Sequence, residues 1–225
     1  MFIGHFAPAF VAAAVSPERP RLGMMFVAAQ LVDWAFFIFS IFGVEHMRIV
    51  DPPASVMSPI DFHHMPYTHS LIGAAIWAAL MLGVVAVQRR DIKLAALAGL
   101  VVLSHWLLDW LVHVPDLTID GTPPKLGLGL WDFPWIAVPL ELALTLGAFV
   151  FYLRRTRGPA GPPAILIAVM LLLQAISWFG PHPESAGLFF ALQALVAFGV
   201  MTALATWVGE NRWFRKRGGL ALSPR

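Results

Sequence analysis

Six apolar stretches recur along this chain, at 22–44, 67–88, 94–114, 133–153, 164–180 and 186–208. Each is close to the ~20 residues a helix needs to cross about 30 Å of hydrocarbon. A helix satisfies all its backbone hydrogen bonds internally, as lipid demands. The chain is therefore expected to be an all-α polytopic membrane helix bundle of six transmembrane helices. Composition agrees: 12% of residues are charged, against roughly 25% in soluble domains. A shorter apolar run, Phe2–Val15, precedes the six. It resembles a secretion signal but has no basic residue before Arg19, so it reads as a retained short N-terminal helix, either a seventh helix or a re-entrant one. The expected organisation is one integral membrane domain over 1–225. The first 145 residues or so carry the chemistry, two further helices fill 164–208, and a basic tail occupies 209–225.

Basic residues give the orientation. Segments 16–21, 89–93, 154–163 and 209–225 hold 13 of the 15 Lys and Arg, leaving Arg48 and Lys125 for the alternate connections. The positive-inside rule then places the C-terminal tail in the cytoplasm and the long 45–66 and 115–132 loops outside. A topological role accounts for the tail, and no nucleic-acid partner is expected. With no cysteine, disulfides, thiolate zinc sites and iron–sulfur clusters are excluded.

The apolar stretches are interrupted by ionisable side chains. His105, Asp109 and His113 are spaced four apart, so on a helix they fall on one face. His5, Asp33, His69 and Glu141 stand in other apolar runs. With ~1.5 Å of rise per residue, His69, Asp109, His105 and Glu141 lie within about 5–14 Å of one membrane face, with Asp33 near the midplane. His5 belongs to that half if its segment enters from outside. Charged groups at such depth are costly and tend to mark function. Imidazole and carboxylate suit zinc, and a cation offsets the desolvation of the carboxylates. No Lys or Arg stands in that half of any apolar stretch to do so instead. His46 and His182 read as surface residues, and His63 and His113 as solvated histidines near the interface. Glu141 is open between ligand, general base and a helix-packing hydrogen bond.

The ordered set Gly4-His5, Asp33, His64-Met65-Pro66-Tyr67-Thr68-His69-Ser70 and Ser104-His105 with Asp109 resembles the bacterial inner-membrane metal-dependent hydrolase family. That family's pattern is G-H, P-D-x-D, H-R-x-x-T-H-S and S-H-x-x-x-D, and it is considered similar to zinc-dependent phospholipase C. The resemblance covers about residues 1–145. The resemblance implies one or two zinc ions held by His5, Asp33, His69, His105 and Asp109, beside which Glu141 or His64 would act as general base or acid if the chain is an enzyme. It also implies hydrolysis of a lipid ester or phosphodiester at the outer face of the bacterial inner membrane. Two departures weaken the substrate more than the metal: Met65 replaces the family's Arg, and Val32-Asp33-Trp34-Ala35 keeps one of two carboxylates. The alternative expectation is a non-catalytic, metal-stabilised membrane subunit that docks to a larger membrane complex.

Overall fold

The computed structural model describes residues 1–17, 19–181 and 183–215. His182, Lys216 and Arg217 lie outside the described residues. Among the described residues, six helices are long and apolar enough to cross a membrane: α2 (Leu22–Ile41), α3 (Leu71–Arg89), α4 (Ile92–Val112), α5 (Pro134–Arg155), α6 (Gly161–Phe179) and α7 (Leu188–Glu210). The chain is an all-α membrane bundle, as its apolar stretches require. The run before them folds as a 3-10 turn, Ile3–His5, continued by the ten-residue helix α1, Phe6–Val15.

Helix α1 is the axis of the bundle. Ile3, Phe6, Ala9, Phe10 and Ala13 have no exposed surface, and α1 packs on α5, α2 and α4. Phe10 meets Phe26 of α2 and Phe149 of α5 edge-on, with ring centroids 5.2 and 5.4 Å apart. The longer helices pair as α3 with α4 and α2 with α7. Gly23 lets α2 approach α7 closely, because a Cβ there would overlap Thr206. The α3–α4 turn is written locally. Arg90 takes the left-handed conformation (φ 53°) that ends helices, and Asp91 caps α4 by accepting from the Lys93 and Leu94 amides at 3.0 Å.

The two ends of the bundle differ. One end has short connections and carries the two-residue strands β3 (Thr156–Arg157) and β4 (Trp213–Phe214), which pair antiparallel. Arg212 is buried there, donating to Thr156 Oγ1 at 2.8 Å and to the Thr156 and Pro159 carbonyls at 3.2 Å. Burial draws its guanidinium below the ordinary arginine value. This member of the basic tail is thus a structural staple.

The opposite end carries the long loops. Residues 45–66 contain an antiparallel hairpin of β1 (His46–Ile49) and β2 (Ile60–His64) with a bulge between His46 and Arg48. Helix α3 begins at Leu71, later than the apolar run suggests. Ser70 caps it by accepting from the Gly73 amide at 2.9 Å and donating to the Pro66 carbonyl at 2.6 Å. His69 consequently sits in the turn before α3, not within it.

Candidate metal centre

His5, Asp33, His69, His105 and Asp109 meet at one place near the hairpin end. His5 closes the 3-10 turn, Asp33 comes from α2, His69 from the turn before α3, and His105 and Asp109 from successive turns of α4. Gly4 packs against Met1 and α5: a Cβ there would stand 2.6 Å from Met1 Sδ, which would have to move, and in ordinary contact, 3.4 Å, with Glu141 Cγ. The amides of that turn are the orphan donors of a helix start. Glu141 Oε1 accepts from Phe2 N at 2.6 Å and Gly4 N at 3.0 Å, and Gln174 Oε1 of α6 accepts from Ile3 N at 3.1 Å.

Asp109 is the hub. Its Oδ1 lies 2.9 Å from His5 Nε2 and 3.5 Å from His113 Nε2. Its Oδ2 lies 3.1 Å from His105 Nε2 and 3.6 Å from His69 Nε2. Asp33 Oδ1 lies 3.2 Å from His69 Nε2 and 3.4 Å from His105 Nε2, while Gln30 donates to its Oδ2. The Met1 amino nitrogen is 3.2 Å from Asp109 Oδ1. The rings of His5 and His105 stack with centroids 3.8 Å apart. Four of the five side chains are at most 4% exposed, and Asp33, at 18%, is where the cluster opens.

Hydrogen bonds behind the cluster fix which nitrogens carry protons. Thr68 Oγ1 gives its single proton to Glu45 Oε2 at 2.6 Å, so toward His69 Nδ1, 2.8 Å away, it can only accept. His105 Nδ1 faces the Ala29 carbonyl at 2.8 Å, which also only accepts. Both rings therefore hold a proton on Nδ1, and in the neutral form each turns a bare Nε2 lone pair toward carboxylate oxygens. Among the described residues, His105 Nε2 and both nitrogens of His5 have no hydrogen-bond partner, although Asp109 oxygens lie 2.9 Å from His5 Nε2 and 3.1 Å from His105 Nε2. Converging lone pairs with no proton between them are repulsive unless a cation is shared.

The donor set fits a borderline cation such as zinc: nitrogen and oxygen ligands, neutral imidazoles and carboxylates. Tetrahedral ligands ~2.0–2.1 Å from one ion stand about 3.3–3.4 Å apart. The observed nitrogen–oxygen separations of 2.9 to 3.6 Å bracket that edge. Two sets of ligand atoms, His5–Asp33–His105 and His69–His105–Asp109, each lie within 4.8 Å of one another. The Thr68 hydroxyl, held by Glu45, and the Ala29 carbonyl are the kind of outer partners that orient metal-binding histidines.

The other two candidates stand elsewhere. His64 is exposed on β2 opposite His46, their rings 5.7 Å apart, and is not brought to the cluster. Glu141 is buried beside it, its Oε1 engaged by the amides of the first turn. His63 and His46 are exposed, as read from the sequence. His113 is not solvated: it is 4% exposed. Its Nδ1 lies 3.0 Å from both oxygens of Asp116, and its ring packs tilted by 35° against Trp131, centroids 4.3 Å apart. Glu45, Thr68, Gln30 and Asp116 are the supporting residues that sequence reasoning missed. Thr68 adjoins His69 and Gln30 lies one turn before Asp33, so both had a local signal. Glu45 and Asp116 lie in loops and had none.

The chain matches no family model, no curated protein and no solved structure.

Proposed function

We propose that the cluster is a divalent metal centre, zinc first, and that the chain is a membrane-embedded hydrolase of a lipid ester or phosphodiester. The observation that carries this reading is the pair of Nδ1-protonated histidines, His69 and His105. Their free Nε2 atoms converge with two carboxylates at 3.1 to 3.6 Å. A bound zinc ion would polarise the scissile group and lower the pKa of its water toward about 7. The rest falls to the protein's own side chains. His5, Asp33, His69, His105 and Asp109 bind the metal. Gln30, Thr68 with Glu45, and the Ala29 carbonyl hold three of those ligands in place. Burial excludes bulk water except at Asp33, the side from which substrate approaches. Glu141 or His64 serves as general base or acid, His64 only after the hairpin moves. In this reading the hairpin end faces outward, the tail is cytoplasmic, and the membrane is the bacterial inner one, as the basic-residue asymmetry and the motif resemblance suggest.

Specific observations favour a second reading, a non-catalytic metal-stabilised subunit of a larger complex. Glu141 already bonds two backbone amides, and His64 stands apart. The two readings differ in coordination, because a structural site is closed by protein ligands while a hydrolytic one keeps a position open. Elemental analysis of the purified protein, with turnover assays on phospholipid and lipid-ester substrates, separates them. Hydrolysis that is lost in Glu141→Gln while metal content is retained supports the enzyme with Glu141 as base. One fully protein-ligated ion without turnover supports the scaffold, and metal-free protein whose melting is unaffected by chelator refutes both.

A further inference from the structure

An apolar groove of about 610 Å³ runs along α1 between α4 and α5. Its floor is the stripe Pro8, Val11, Ala12 and Val15, and Val11 and Val15 are 42% and 44% exposed although α1 is otherwise a core helix. The α4 wall extends from Leu97 to Leu108, a length of about 16 Å at 1.5 Å per residue. No polar side chain lines it. One end lies at the candidate metal centre: Leu108 adjoins Asp109, Ala7 follows His5 by two residues, and Ala143 follows Glu141 by two. The other end lies past mid-span, and the groove opens sideways into hydrocarbon.

We infer that this groove binds a single acyl chain of a bilayer phospholipid, with the polar end of that lipid at the level of Asp109 and His5. The inference rests on the lipid-hydrolase reading for what happens at the polar end, but the groove's occupancy does not depend on turnover. The surroundings decide the occupant: every lining side chain is apolar, and the walls are two helices long and apolar enough to cross a membrane, so acyl chains are what the groove meets. One leaflet of a ~30 Å hydrocarbon core is about 15 Å deep, the length of its chains, which matches the groove. Lateral opening lets a lipid enter from the membrane without passing the β1–β2 hairpin. A second recess, of about 600 Å³, on α3 is lined by that helix alone, from Ile76 to Gln88, and touches no member of the cluster. It provides an internal control.

The test uses the full chain in nanodiscs with a phosphatidylcholine carrying a diazirine near the end of one acyl chain, and mass-spectrometric mapping of the crosslinks. Expected is saturable labelling of α1 and of the Leu97 and Phe151 regions, competed by unlabelled phosphatidylcholine, above non-saturable labelling at Ile76–Val84. Gly147→Trp fills the groove where a Cβ has nothing within 4 Å. It should cut groove labelling by about tenfold or more, the worth of two to three lost methylene contacts, while leaving α3 labelling and zinc content unchanged. Ala143→Leu, a smaller filling, should cut it less and guards against misfolding of the first variant. Groove labelling no greater than that on α3, or unaffected by both substitutions, overturns the inference. Saturable labelling in protein without metal or turnover would keep the groove and remove the hydrolase reading instead.

Discussion

Replacing Thr68 with Val tests whether the hydrogen bonds behind the cluster set metal affinity. The substitution keeps the shape of the side chain and deletes one hydroxyl at a fully buried position. Glu45 then keeps its two amide bonds, at 2.8 and 3.0 Å, and loses the 2.6 Å hydroxyl. His69 Nδ1 loses the acceptor that held its proton there. A buried group left unpaired costs about 1–3 kcal/mol, so the fold should weaken by that order. The larger signature is in binding. With Nδ1 unanchored, His69 can carry its proton on Nε2, where it donates to Asp33 and no longer offers a lone pair. Loss of such an outer partner lowers metal affinity about 10–100-fold, equivalent to roughly 1.4–2.7 kcal/mol. Competition for zinc against a chromophoric chelator, beside melting curves with and without chelator, separates the two effects. Thr68→Ser should restore affinity, since the hydroxyl returns. If Thr68→Val lowers the melting temperature but zinc affinity stays within twofold of wild type, the proton-fixing argument is wrong and Thr68 is only packing.

Three further outcomes are expected. His105→Ala should lower zinc content and destabilise the fold by several kcal/mol, because two carboxylates would lose their shared counter-charge; unchanged metal content by elemental analysis would contradict this. Glu141→Leu should loosen the first turn by a few kcal/mol through orphaned Phe2 and Gly4 amides, read as faster hydrogen exchange there, whereas Glu141→Gln, which still accepts, should not. Cysteines placed at exposed Val56 and Thr122 should react from outside with an impermeant reagent while one at exposed Ala160 should not, and the reverse pattern would invert the proposed orientation.

The six spans were legible because a run of about 20 apolar residues has few alternatives in lipid. The metal candidates were legible for a related reason: His105 and Asp109 are conspicuous among leucines and valines. Less visible was anything that depends on a residue far along the chain. Glu45 looks like an ordinary loop acid until the hairpin end folds it under Thr68, 23 residues away. His113, near a span end, looked solvated because Trp131 and Asp116, which cover and bind it, lie in the following loop. The start of α3 was misplaced because hydropathy does not register Ser70, whose hydroxyl defines that helix end.

Residues 1–15 are made before the helices that complete them. The Ile3 amide needs Gln174 of α6, and the Phe2 and Gly4 amides need Glu141 of α5. Until those spans have entered the bilayer, the turn that presents His5 has unsatisfied donors and no stable place at depth. Its residence in the membrane therefore waits on segments synthesised well over a hundred residues later. The centre is thus closed late in biogenesis, by the arrival of its N-terminal piece. Helix α6 contributes no member of the cluster, but as the latch for that piece it governs when the cluster can close.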